Sequence, residues 1–210
     1  MYTRETIQQA LIERHSPKTQ ELFNSGRVAV AGLGGLGSNI ACLLARIGVG
    51  HLHLIDFDKV ELSNLNRQQY FLRHVGMYKT DALREILLQI NPYLEIRTDC
   101  VRVTEQNLLD LFDNESIICE AFDAPEAKSM LACGILEHFP DKKLIAASGM
   151  AGYGSSGLIH TRRVSENFYL CGDEVSENLP GQGLMAPRVA VCAAQQANMV
   201  TRLLLGECEA

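Results

Sequence analysis

The chain has 210 residues, 47% of them hydrophobic and 21% charged, which is ordinary for a globular protein and short enough for one α/β domain. Its net charge of −6 argues against a nucleic-acid partner, and no apolar run approaches the roughly 20 residues that span a bilayer. Residues 1–5 are polar and lack a signal-peptide core, so a cytoplasmic protein away from the membrane is expected. Seven cysteines include no C-x-x-C pair, the usual spacing of a four-thiolate zinc site. No zinc is expected, and most of these cysteines read as small buried hydrophobes.

Taken in chain order, residues 1–25 read as an N-terminal helical arm before a single nucleotide-binding domain over 26–210. A strand from Arg27 breaks into a glycine turn that opens a helix, with Gly32, Gly34 and Gly37 in G-x-G-x-x-G spacing and Gly35 between them. Such a turn brings backbone N–H groups and the positive end of a helix to phosphate oxygens. A second strand from His51 ends at Asp56, about 20 residues past the glycines, where a Rossmann fold places its ribose-binding carboxylate. Asp58 follows, then Ser63-Asn64-Leu65-Asn66-Arg67-Gln68 and Gly76-Met77-Tyr78-Lys79. These amide, guanidinium and ammonium donors exceed what a diphosphate bridge requires. They suit a triphosphate on which charge develops during attack at the α-phosphorus.

Apolar residues at helical spacing predict a helix over 80–90, ended by Asn91-Pro92. A third strand is predicted over 94–103, a helix capped by Thr104 through 112, and a fourth strand over 116–122 with Asp123 at its end. A helix over 127–139 and a fifth strand over 143–148 follow. The alternation implies a Rossmann-like, doubly wound, mostly parallel sheet. Residues 157–164 and 167–171 read as a C-terminal antiparallel extension, residues 172–183 as a mobile crossover or lid, and 188–205 as a last helix entered through Pro187.

The glycine turn, Asp56-Phe57-Asp58, the S-N-L-N-R-Q run, Gly76-Met77-Tyr78-Lys79, Asn91-Pro92, Asp123 and Gly183-Leu184-Met185-Ala186-Pro187 occur in an order that resembles one family. It is that of the adenylating enzymes that activate ubiquitin-like proteins, in the small bacterial ThiF/MoeB branch. The compact form without paired C-x-x-C motifs looks most like ThiF-type proteins of the thiamine pathway. The resemblance implies ATP-dependent adenylylation of the C-terminal Gly-Gly carboxylate of a ubiquitin-like sulfur carrier, with release of pyrophosphate. It also implies a magnesium ion, a homodimer and a sulfur donor protein acting downstream.

By resemblance, Arg67 grips the β- and γ-phosphates, Lys79 contacts phosphates, Asn64, Asn66 and Gln68 lie against the nucleotide, and Asp123 binds magnesium. Arg14 resembles an arginine that reaches the triphosphate from the neighbouring subunit, although Pro17 stands where the family has a second arginine. Cys171, at the start of the predicted loop, is a candidate sulfur-transfer thiol. Each has a plainer reading: a solvated Lys79, a surface ion pair at Arg67, turn-capping amides, an N-cap at Asp123, an exposed helix charge at Arg14. A NAD-dependent oxidoreductase explains the glycines and Asp56 but leaves Arg67 and Lys79 without a task. A catalytically silent scaffold subunit has no use for those phosphate donors. A molybdopterin-type carrier would undergo the same first step.

Overall fold

The computed structural model describes residues 2–177 and 179–210; Met1 of the arm and Asn178 of the 172–183 segment lie outside them. In chain order the elements are α1 (Arg4–Ile12), α2 (Pro17–Ser25), β1 (Arg27–Ala31), α3 (Gly35–Ile47), β2 (His51–Ile55), α4 (Lys79–Ile90), β3 (Glu95–Asp99), α5 (Leu108–Leu111) and β4 (Ile117–Glu120). They continue as α6 (Pro125–His138), β5 (Lys143–Ala147), β6 (His160–Ser165), β7 (Phe168–Gly172) and α7 (Ala186–Leu204). Short 3-10 turns at Leu62–Asn66 and Leu72–His74 carry the long connection from β2 to α4.

The seven strands lie in the order β3-β2-β1-β4-β5-β7-β6. All neighbours are parallel except β6 and β7, which form the antiparallel end. This is the doubly wound sheet that the alternating pattern predicts. Val28, Ala29, Val30 and Ala31 are all fully buried, because helices cover both faces of a central parallel strand and leave no polar side. On one face Ile40 and Leu44 of α3, Leu83 and Leu87 of α4, and Val200 of α7 pack together. On the other, Phe112, Leu131 and Ile135 cover Ala29, Ala31 and Ile118. The order reverses between β1 and β4, so the carboxyl ends of those two strands open the crevice where ligands bind in such sheets.

Several predicted bounds shift. The third strand stops at Asp99 rather than 103, because its pairing with β2 ends at Ile55↔Asp99. The predicted 104–112 helix shortens to Leu108–Leu111, and Thr104 is not its side-chain cap: the Thr104 N–H donates to Asn107 Oδ1 at 2.8 Å. The arm packs at the far end of α3, where Gln20 Nε2 donates to the carbonyl of Gly48 at 3.2 Å.

Candidate nucleotide-binding site

The glycine turn closes because its glycines have no Cβ. A Cβ on Gly37 would overlap the carbonyl oxygen of Gly32, and Gly32 itself has a φ of +90° against the backbone of Ala121. Helix α3 therefore starts tightly against β1, and its N-cap Gly34 supplies no side chain to bond its first N–H groups. Those donors face the crevice, as an anion site at a helix N-terminus requires.

Asp56 braces the turn from within. Its Oδ2 accepts from the Leu33 N–H at 2.7 Å and its Oδ1 from the Asp58 N–H at 2.8 Å, and the residue is buried. Burial pushes its pKa up, against the opposing pull of Lys79 and the two N–H donors. Lys79 is buried at the start of α4, with Nζ 2.9 Å from Asp58 Oδ2 and 3.7 Å from Asp56 Oδ2. The Asp58 side chain remains 50% exposed, so of the two carboxylates it is the more open. Lys79 is thus held between two acids.

Arg67 lies along the turn: a Cβ on Gly35 would stand 3.3 Å from Arg67 Cγ and 2.9 Å from Val189 Cγ1. Its Nη1 donates to Asn66 Oδ1 at 2.8 Å, while its buried Nε has no partner among the described residues. Asn39 holds the segment in place, donating to the carbonyls of Gly35 at 2.6 Å and Arg67 at 3.2 Å. Gln68 is buried beside Gly34, with its Nε2 3.8 Å from the position of a Cβ there. Asn66 donates to the carbonyl of Leu184 at 3.2 Å and so ties this segment to the crossover. Asn64 is committed to a capping box, accepting from the Glu61 N–H at 3.0 Å.

Asp123 lies exposed just past β4, without a hydrogen bond or ion pair to any described residue. It does not cap α6, whose N-cap is Ala124. No group of three or more potential metal ligands occurs among the described residues. A lone carboxylate at the phosphate crevice still fits magnesium, which is commonly bound by one or two carboxylates plus substrate phosphates.

One arrangement departs from expectation, the burial of Cys171. Cys171 closes the predicted last strand and does lie in β7, but it is fully buried instead of open at the loop, with its Sγ 3.3 Å from Thr161 Oγ1. Burial pushes its thiol up to about 11 despite the Thr161 contact. A buried, protonated thiol is not a nucleophile, so this structure does not present Cys171 for sulfur transfer. Arg14 follows α1 at the end of α3 opposite the glycine turn, about 20 Å away for a 13-residue helix. It does not reach this chain's own turn.

Sequence reasoning passed over two ion pairs below the crevice. Glu120, 1% exposed, accepts from Lys128 Nζ at 3.0 and 2.9 Å and from the Phe122 N–H at 2.7 Å; Lys128 also donates to the Ala147 carbonyl. Burial pushes the Glu120 carboxyl up, with Lys128 opposing. Opposite charges eight residues apart across a strand-to-helix turn were the available signal. The second pair joins Asp173 to Arg188 and pins the first part of the predicted mobile loop. Asp173 also accepts from the N–H groups of Val175 and Ser176 and from the Ser176 hydroxyl. Burial alone would raise its pKa, but Ser176, Val175 and Arg188 together hold it down at about 2.

The folded carboxyl of Asp173 thus titrates below its unfolded value of about 3.9. Its stabilisation is complete above that pH and is lost as pH falls through about 2. Asp173→Asn is expected to lower stability by about 1–2 kcal/mol at pH 7. The gap to wild type should narrow between pH 4 and 2, measured by urea unfolding across that range.

Residues 5–210 match the ThiF family. The chain belongs to that family. Among curated ThiF-type relatives, the molybdopterin-synthase adenylyltransferase of Salmonella typhimurium is 32% identical over 190 residues, covering 88% of this chain and 75% of that protein. The adenylyltransferase and sulfurtransferase UBA4 of Eremothecium gossypii is 29% identical over 195 residues, 89% of this chain. The chain spans only 43% of that longer relative. In fold it is similar to the Escherichia coli tRNA N6-threonylcarbamoyladenosine dehydratase TcdA, solved in complex with ATP, with a TM-score of 0.86, 22% identity and coverage of 98% and 97% of the two chains. No helix among the described residues is long and apolar enough to cross a membrane.

Proposed function

We propose that this ThiF-family protein is an ATP-dependent adenylyltransferase acting on the C-terminal Gly-Gly carboxylate of a ubiquitin-like sulfur carrier. The observation that carries the reading is Lys79, buried 2.9 Å from Asp58 at the mouth of a glycine turn along which Arg67 also lies. A dinucleotide site has no need of that buried cation.

The glycine-turn N–H groups and the start of α3 receive phosphate oxygens, with Lys79 and Arg67 closing over the triphosphate. The carrier's terminal carboxylate is already an anion at neutral pH, so no general base is needed. One of its oxygens forms a bond to the α-phosphorus while the α–β bridging bond breaks, and pyrophosphate leaves with that electron pair. Catalysis then consists of positioning and of stabilising charge on the phosphate oxygens. Asp123 would help hold a magnesium ion, which would supply further charge neutralisation at the phosphates. Arg14 lies too far to act on its own site, so any contribution to the triphosphate is made to a second copy, in a homodimer.

For the carrier, absence of C-x-x-C pairs supports a thiamine-pathway ThiS-like protein, whose adenylate is then loaded with sulfur from a donor protein. Identity of 32% to a molybdopterin-synthase adenylyltransferase favours a molybdopterin-type carrier as the second reading. Incubation with magnesium, ATP and each carrier in turn, followed by mass spectrometry, separates them. The cognate carrier gains one adenylyl group, and failure of every Gly-Gly carrier to gain it would reject the reaction.

A further inference from the structure

Arg188 is the third residue of α7 and only 5% exposed, yet among the described residues one of its five N–H donors has a protein acceptor: Nη2 donates to Asp173. Its Nε is buried with no partner among the described residues. Asp173 does not need all of that guanidinium, since it already accepts from Val175 and Ser176. A buried cation with idle donors is costly unless an acceptor arrives.

The surroundings indicate what the acceptor is. Nη1 stands 2.5 Å from the position that a Cβ on Gly154 would take, so a side chain there would push the guanidinium aside. Gly152 donates to the carbonyl of Gly183 at 3.1 Å, which brings two glycine-bearing segments side by side. Gly181 and Gly183 have nothing within 4 Å of where a side chain would begin. Helix α7 starts here without a side-chain cap, so its unbonded N–H groups add positive potential. One residue on, Val189 packs against Gly35 of the phosphate turn. Bare backbone, idle guanidinium donors and an uncapped helix start thus lead toward the nucleotide crevice. In the adenylylation reading, Arg67 and Lys79 serve the phosphates, which leaves the Arg188 guanidinium for another acceptor.

We propose that Arg188 binds the carrier's tail, donating from its unused N–H groups to carbonyl oxygens of the terminal diglycine and steering the carboxylate toward the α-phosphate. Gly154 keeps the space for that contact. This rests on the adenylylation reading for the identity of the peptide, but it is tested without nucleotide, so the two fail separately.

The test is fluorescence titration of a labelled β-grasp carrier ending in Gly-Gly, beside the same carrier lacking both glycines. Wild type should prefer the intact tail by about 10- to 100-fold, the effect of one or two charge-assisted hydrogen bonds. Arg188→Met and Gly154→Ala should erase that preference, while both bind the truncated carrier as wild type does, which also reports that they are folded. ATP affinity, measured separately by calorimetry, should be unchanged in Arg188→Met. A preference retained in both variants, or absent from wild type, overturns the proposal. So does an Arg188→Met loss of ATP affinity equal to its loss of carrier affinity, which would assign the guanidinium to phosphate instead.

Discussion

Lys79→Ala is expected to lower carrier-dependent ATP–pyrophosphate exchange by about 10²–10³-fold, the usual cost of removing one donor aimed at charge in a transition state. The effect has two parts that separate experimentally. On the nucleotide side, the proposed phosphates lose a compact cation that the planar guanidinium of Arg67, lying beside Gly35, does not mimic. On the structural side, Asp56 loses the cation 3.7 Å away that offsets its burial. Stability should therefore fall by about 1–3 kcal/mol. Asp58 adds little to this, being half exposed. Thermal unfolding gives the second part, and exchange measured well below the melting temperature gives the first. Unchanged exchange in a folded Lys79→Ala protein would remove the ammonium from the proposed chemistry.

Gly37→Ala should have the larger effect on the fold. The added methyl would overlap the Gly32 carbonyl oxygen, and that oxygen belongs to backbone fixed between β1 and α3, so no side-chain rotation relieves the overlap. The helix start must retreat from the strand, which breaks the anchorage of the Leu33 N–H on Asp56 and misplaces every phosphate donor. A loss of about 3 kcal/mol or more is expected, beyond ordinary overpacking, together with loss of measurable ATP binding. Gly34→Ala is the matched control, since its Cβ would meet nothing closer than Gln68 Nε2 at 3.8 Å. Equal melting temperatures for Gly37→Ala and Gly34→Ala would show that the turn tolerates a retreat of α3.

What could be read from the sequence was what short-range sterics and periodicity control. The role of Gly37 follows from chain geometry over a handful of residues, and the strands alternate with helices because both faces of a parallel sheet need apolar cover. The place of Lys79 was legible because Gly76 precedes it and a helical stripe follows, and α4 does open at Lys79. Bounds set by distant pairing were not: β3 ends where β2 runs out of partners, at Asp99, which no local signal announces. The Asp173–Arg188 pair joins residues on either side of the crossover and follows from docking of α7 rather than from any spacing. Cys171 was placed in the right strand, but its burial was missed for a reason the sequence did contain. It lies two residues after Tyr169, so both point to one face of β7, and that face is the core. Asp56 kept its expected location at the end of β2, but both its oxygens are spent inside the chain, which leaves Asp58 as the more open acid.

The measurement that bears most directly on the proposed function is ATP–pyrophosphate exchange by the wild-type protein with magnesium, with and without a Gly-Gly-terminated sulfur carrier. Exchange that appears only with the intact carrier, and vanishes when its last glycine is removed, is the predicted result. ATP binding without exchange for any such carrier, or exchange that ignores the carrier's terminus, would contradict it.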